Sequence, residues 1–209
     1  MQGDNGKVNT PAYGKPEFSG LHMTTRSNSE STLNRNSWLQ CSLEVLRDEG
    51  IVGVRVERLA RDLRVTKGSF YWHFTDRDDL FTSLLAFWTR KYNDVVIKNP
   101  RFTDGDPSDG LLAAMIMVRE QGLDRFELAM RAWADHDVQA DTAVREVYER
   151  RKKFIHRFFK RLGFRGLDAE ARTRLVLCCL SWEPNMYQEE SETRRLSLLK
   201  RQHELLTER

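Results

Sequence analysis

The sequence predicts an all-α protein, on three observations. Helix breakers are scarce: the 209 residues hold 12 Gly and 5 Pro, and no Pro falls between Phe18 and Asn99. Apolar residues recur at helical spacing from Leu33 onward. No stretch shows the in-out alternation of a half-buried strand. Apolar residues make up 40% and charged residues 31% of the chain, with a formal net charge of +3, so a charged surface over a substantial core is expected. The longest apolar runs, Leu111–Val118 and Leu175–Leu180, fall far short of the ~18 residues that span a bilayer. No basic start leads into an apolar stretch, so no secretory signal and a cytoplasmic location are expected. Cys41, Cys178 and Cys179 are odd in number and two are adjacent, which suits neither a disulfide nor a metal clamp; they read as small buried hydrophobes in a reducing compartment.

Along the chain, residues 1–32 hold Gly, Pro, Asn, Ser and Thr with few large apolar residues, and read as a flexible arm. Met23 inside it is an alternative natural start. From Leu33, the residues Trp38, Leu39, Leu43, Val45 and Leu46 trace one helix, closed by Gly50 as a C′ glycine. Val56, Leu59, Ala60 and Leu63 trace a short second helix. Thr66 is placed to cap a third, Lys67 to Phe74. Asp76, with Asp79 three residues on, opens a long fourth helix running from Arg77 towards Ile97, with Leu80, Phe81, Leu84, Leu85, Trp88, Tyr92 and Val96 on one side. After the break at Asn99–Pro107, helices are expected near 109–120, 123–135, 138–162, 168–183 and 191–207. The resulting division is an arm (1–32), a helix-turn-helix domain (33–78) and a regulatory and dimerisation domain (79–209).

The dense signal is Glu57 to Phe74. Two short helices joined by a tight turn at Arg64 and Val65 have the spacing of a helix-turn-helix. Phe70 and Phe74, four apart, face inward. Tyr71 and Trp72 then face outward beside Gly68 and Ser69, with Lys67 at the N-terminal end. Two adjacent exposed aromatics are costly unless something covers them. A major groove would do so: Gly68 permits close approach, Lys67 and Ser69 reach base edges, and Tyr71 donates to phosphate. Arg77 adds charge beside the first amides of the fourth helix. The competing reading packs these aromatics against the later helices.

The motif in Thr66-Lys67-Gly68-Ser69-Phe70-Tyr71-Trp72-His73-Phe74, within Val54–Leu85, resembles the DNA-binding domain of TetR-family transcriptional regulators. The resemblance implies that the third helix enters the major groove, and carries Lys67, Gly68, Ser69, Tyr71, Trp72, His73 and Arg77 over as the DNA-facing set. Two positions depart from the family pattern. Arg64 stands where Gly is usual in the turn, at a cost of order 1 kcal/mol for positive φ, though it gains a candidate phosphate contact. Arg55-Val56 replaces the usual Ser/Thr cap of the second helix. Further on, Arg131 to Asp137 and the following long helix look like one branch of the family. In it the C-terminal domain senses an inducer and the last two helices form the dimer.

Other features carry weaker chemistry. The basic run Arg150–Arg165 is interleaved with apolar residues, as on the solvated face of an amphipathic helix; a second nucleic-acid surface and a counter-ion for an acidic ligand are the alternatives. Asp135, His136, Asp137 and Asp141 make a poor metal set, and Asp137 reads more simply as a helix cap. Met115, Phe126, Met130, Trp133 and Tyr148 are the candidate ligand-lining residues, equally suited to plain core. Leu196, Leu199, His203 and Leu206 form a stripe that, with the apolar 175–182 segment, is the expected four-helix dimer face. No phosphate loop, nucleophile elbow or ligand cluster points to an enzyme, and no cofactor is implied. The expected function is a cytoplasmic, nucleoid-associated homodimeric repressor. A small-molecule inducer releases it from a palindromic double-stranded operator. The alternative is a DNA-bound protein that recruits a protein partner through the 150–165 face, with no small ligand.

Overall fold

The computed structural model describes residues 33–182 and 189–208. The expectations for the arm and for Met23 lie outside those residues. Within them the chain is helical, with no strand. Asn34 opens α1 (Arg35–Glu49) by accepting from the Ser37 amide at 3.1 Å, and Gly50, at φ 73°, closes it. Trp38, Leu39, Leu43 and Leu46 are buried along one face. α2 (Val56–Asp62) begins at Arg55 without a side-chain cap. It ends in a Schellman turn: the Arg64 amide donates to the Arg61 carbonyl and the Val65 amide to that of Ala60, at 3.1 and 2.9 Å. Arg64 occupies the left-handed position at φ 57°, the one non-glycine residue with positive φ among the described residues. The same motif closes two later helices with glycine, at Gly122 and Gly163.

The third helix differs from expectation. It is a 3-10 segment, Lys67–Trp72, and the Thr66 side chain caps nothing. With only six residues and a glycine near its start, the segment closes i→i+3 bonds (Ser69 amide to Thr66, His73 amide to Phe70) rather than a full α-turn ladder. α3 starts at Arg77 as expected, with Asp76 accepting from the Asp79 amide at 2.8 Å. It is α-helical to Trp88, widens into a π-helical stretch over Thr89–Asp94, and returns to α over Val95–Ile97.

Beyond a 3-10 turn at Pro100–Phe102 come α4 (Pro107–Glu120), α5 (Glu127–Ala134), α6 (Val138–Arg161), α7 (Gly166–Ser181) and α8 (Glu192–Thr207). α5 starts four residues later than its periodicity implies, because Gly122 turns the chain and residues 123–126 complete that turn. Asp137 caps α6 through the Ala140 amide. Gly110 lets α4 meet the preceding turn: a Cβ there would lie 2.3 Å from the Phe102 carbonyl oxygen.

A buried polar cluster joins α5, α6 and the π-helical stretch. Glu127 of α5 is bound by Arg151 of α6 at 2.9 Å and by the Tyr148 hydroxyl. The Arg151 guanidinium also donates to Asn93 in the π-helical stretch, and next to it Arg150 reaches Asp94 at 2.8 Å. Burial and the Glu127 charge push the Tyr148 hydroxyl up from its ordinary pKa. At the other end, His203 of α8 is buried against α4, with Nε2 3.0 Å from the Ser108 carbonyl oxygen. The stripe Leu196, Leu199, His203, Leu206 therefore packs inside its own chain, a correction to its expected place on the dimer surface. The faces turned outward carry Leu175, Cys178 and Trp182 on α7, and Leu205 on α8.

Two outcomes follow for stability. Arg151→Met leaves Glu127, whose side chain is only 3% exposed, as an uncompensated buried charge. It should cost roughly 3–5 kcal/mol in urea unfolding, and Glu127→Met/Arg151→Met should cost less than the single change. Burial holds the His203 imidazole below its ordinary pKa. The unfolded chain therefore takes up that proton first, and the contribution is complete above about pH 6.5 and is lost as pH falls below it. His203→Gln should flatten that part of the stability–pH curve.

Candidate nucleic-acid interface

The segment Lys67–Trp72 is fixed from behind by aromatic packing. Phe70 is 1% exposed, stacked on Phe74 at 5.1 Å and edge-on to Trp38 of α1 at 5.5 Å. Arg35 of α1 fastens the segment's end: Nε donates to the His73 carbonyl at 3.2 Å, the guanidinium pairs with Asp79 at 3.1 Å, and it lies over the Phe74 ring. These contacts turn the opposite face outward. Trp72 is 88% and Tyr71 58% exposed, so the reading that packs them against later helices is excluded.

The expected DNA-facing residues fall along this one edge. Arg64, Thr66, Lys67, Gly68 and Arg77 are exposed, while Ser69 and His73 are half-buried. Around Gly68 a Cβ would meet only the Thr66 hydroxyl, at 3.7 Å, among the described residues, none of which requires glycine there. The Arg77 guanidinium lies over the Phe81 ring at 4.7 Å, at the amino end of α3. Arg55, Arg64 and Arg77 have no carboxylate partner among the described residues, whereas Arg58 is neutralised by Glu49 and Asp62, at 2.6 and 2.7 Å. Lys67 is paired with Glu57 on the first turn of α2. Sequence reasoning missed Arg35 and Glu57. Each acts across 10 or more residues of chain, where no periodicity links the partners.

A second feature lies between the π-helical stretch, α4, α6 and α7. Tyr92, Val96, Met115, Phe154 and Val176 enclose an apolar cavity of about 60 Å³, with Asn93, Asp124, Arg151 and Ser181 as its polar lining. Burial pushes the Asp124 carboxyl up, opposed by the Arg119 guanidinium 3.3 Å away. Of the residues expected to line a ligand site, Met115 borders this cavity. Phe126, Met130 and Trp133 are buried in solid core, Phe126 against Tyr92 and Trp133 against Phe81. Tyr148 instead donates its hydroxyl proton to Glu127. The basic run divides likewise. Arg150 and Arg151 turn inward, while Lys152, Lys153, His156, Lys160 and Arg165 line an open concavity of about 600 Å³ beside α7.

Comparison with known proteins agrees with this geometry. Residues 39–84 match the family described as bacterial regulatory proteins, tetR family. The HTH-type transcriptional regulator AcrR of Shigella flexneri is 26% identical over 98 residues, 47% of this chain and 46% of that protein; the match thus spans less than half of that relative's length. A TetR-family regulator from a Rhodococcus species superposes with a TM-score of 0.62 at 20% identity, covering 83% of this chain and 98% of its own. AibR, solved in complex with isovaleryl coenzyme A and operator DNA, superposes with a TM-score of 0.66 at 15% identity, covering 83% and 97%. Residues 39–84 thus resemble the tetR family of bacterial regulatory proteins in sequence, and the chain is similar in fold to these solved regulators.

Proposed function

We propose that this protein is a sequence-specific DNA-binding transcriptional regulator, a repressor that a small-molecule inducer releases from a palindromic operator. The observation that carries the reading is the outward pair Tyr71 and Trp72, held rigidly beside a glycine that none of the described residues requires. A duplex covers both aromatics and uses the close approach that Gly68 allows. Arg64 and Arg77 flank them as phosphate contacts, with Lys67, Ser69 and Thr66 nearest the base edges and His73 at the segment's end. The protein acts as a cytoplasmic homodimer through the outward apolar faces of α7 and α8, which carry Leu175, Trp182 and Leu205. Two-fold symmetry then sets the recognition segments about 34–36 Å apart on DNA.

The inducer site in this reading is the cavity beside α3. It suits a largely apolar molecule with one polar group directed at Asp124 and Arg151. Its wall includes Tyr92 and Asn93 of the π-helical stretch, and that stretch belongs to the same helix whose amino end flanks the DNA face. A ligand that changes the register of the stretch biases the DNA-binding arrangement by its differential affinity, typically about 1–3 kcal/mol. AibR, a neighbour in fold, was solved with both a coenzyme A thioester and operator DNA, which supports a ligand-responsive regulator. The open basic concavity of Lys152, Lys153 and Lys160 favours the second reading, recruitment of an acidic protein partner by the DNA-bound dimer without a small ligand.

Selection from a random duplex library should recover a palindrome. Gly68→Ala should leave the melting temperature unchanged and reduce affinity for that palindrome at least tenfold, about 1.4 kcal/mol. Unchanged affinity would place the DNA face elsewhere. In a thermal-shift screen of lipophilic metabolites, a compound that stabilises the protein by filling the cavity should also weaken operator binding, because the coupling is reciprocal. Stabilisation with no loss of operator affinity would count against inducer control by that compound.

A further inference from the structure

Glu57 brings a carboxylate to the proposed DNA face. Glu57 is exposed on the first turn of α2, where its charge suits the amino end of the helix, and it receives a hydrogen bond from Lys67 Nζ at the start of the recognition segment. That bond spans two elements of the helix-turn-helix. It fixes the ammonium group of Lys67, whose side chain is otherwise exposed, and it removes one unit of positive charge from a face whose other cations, Arg64 and Arg77, make no ion pair among the described residues. Lys67 lowers the Glu57 carboxyl below its ordinary pKa.

Resting on the DNA-binding reading, we propose that Glu57 is a specificity-determining residue: its pairing with Lys67 suppresses binding to non-cognate DNA. Non-specific affinity comes almost entirely from cations that displace counterions from phosphates. Glu57 withholds Lys67 from that role and repels any phosphate that approaches it. In the cognate register the same two groups face base edges. There a carboxylate oxygen accepts from the exocyclic amino group of cytosine, and Lys67 reaches guanine O6 or N7. The carboxylate is thus tolerated on one sequence and penalised on the rest, which is how a repulsive element widens a specificity ratio. Glutamine retains the acceptor oxygen but not the charge.

The experiment compares the full-length wild-type chain with Glu57→Gln, Lys67→Met and the double variant. Fluorescence anisotropy is read across a salt series, on the duplex recovered by selection and on a scrambled duplex. Glu57→Gln should bind the scrambled duplex about three- to tenfold more tightly, with little change on the selected one. Its slope of log affinity against log salt should steepen by about 0.9. Lys67→Met, which leaves Glu57 unpaired on the DNA face, should weaken binding to both duplexes. The double variant, which carries neither charge, should return the scrambled-duplex affinity and salt slope close to the wild-type values. Equal weakening of both duplexes by Glu57→Gln, or no change in either, would overturn the inference. A wild-type chain that selects no sequence would instead defeat the DNA-binding reading and this inference with it.

Discussion

The interaction on which the rest depends is the buried hydrogen-bonded ion pair of Arg151 with Glu127, extended to Asn93. Glu127 and Asn93 are each 2% exposed, and the guanidinium satisfies both at once. Neither polar group is tolerable there without the other. The consequence is positional. One side chain of α6 fixes α5 on one side and the π-helical stretch of α3 on the other. A π-helical stretch carries an extra residue in its turn and offsets the side chains that follow. In this chain that offset faces Tyr92 and Asn93 into the cavity, while the amino end of the same helix, at Asp76 and Arg77, lies beside the recognition segment. Core electrostatics, cavity wall and the proposed DNA-facing edge therefore share one continuous piece of backbone.

The same economy holds at the recognition segment. Phe70 and Phe74 give it a rigid back, anchored to Trp38, and Arg35 joins its last carbonyl to Asp79 of α3. Rigidity behind allows exposure in front, so Trp72 stands exposed. Arg64 is the strained element of this arrangement. It takes the left-handed position that Gly122 and Gly163 fill at other helix ends, and it places a guanidinium at the turn where glycine would have placed nothing.

Much of this was legible in the sequence. The scarcity of Pro and Gly and the apolar periodicity gave the helical class. Asp76 and Asp137, each followed by helix-forming residues, gave two helix starts to the residue. The spacing of Phe70 and Phe74 against Tyr71 and Trp72 separated inside from outside, because four residues carry a side chain about once round a helical turn. What was not legible depends on contacts distant in sequence. The inward turn of Arg150 and Arg151 needs Asp94 and Glu127 from other helices, so a run that reads as a solvated basic face is in part a core clamp. Met130 and Trp133 have the composition of a pocket, but which apolar residues leave a gap is set by how helices meet. The stripe from Leu196 to Leu206 likewise shows that a helix is amphipathic, and not whether its partner is its own chain or another.

The central claim is that the edge from Arg64 to Arg77, rather than the basic concavity of α6, meets DNA. Hydrogen–deuterium exchange of the full chain, with and without a saturating selected duplex, tests it directly. The account predicts protection concentrated in residues 64–77, with residues 152–165 unchanged. Protection of Lys152–Arg165 with none at Arg64–Arg77 would contradict it.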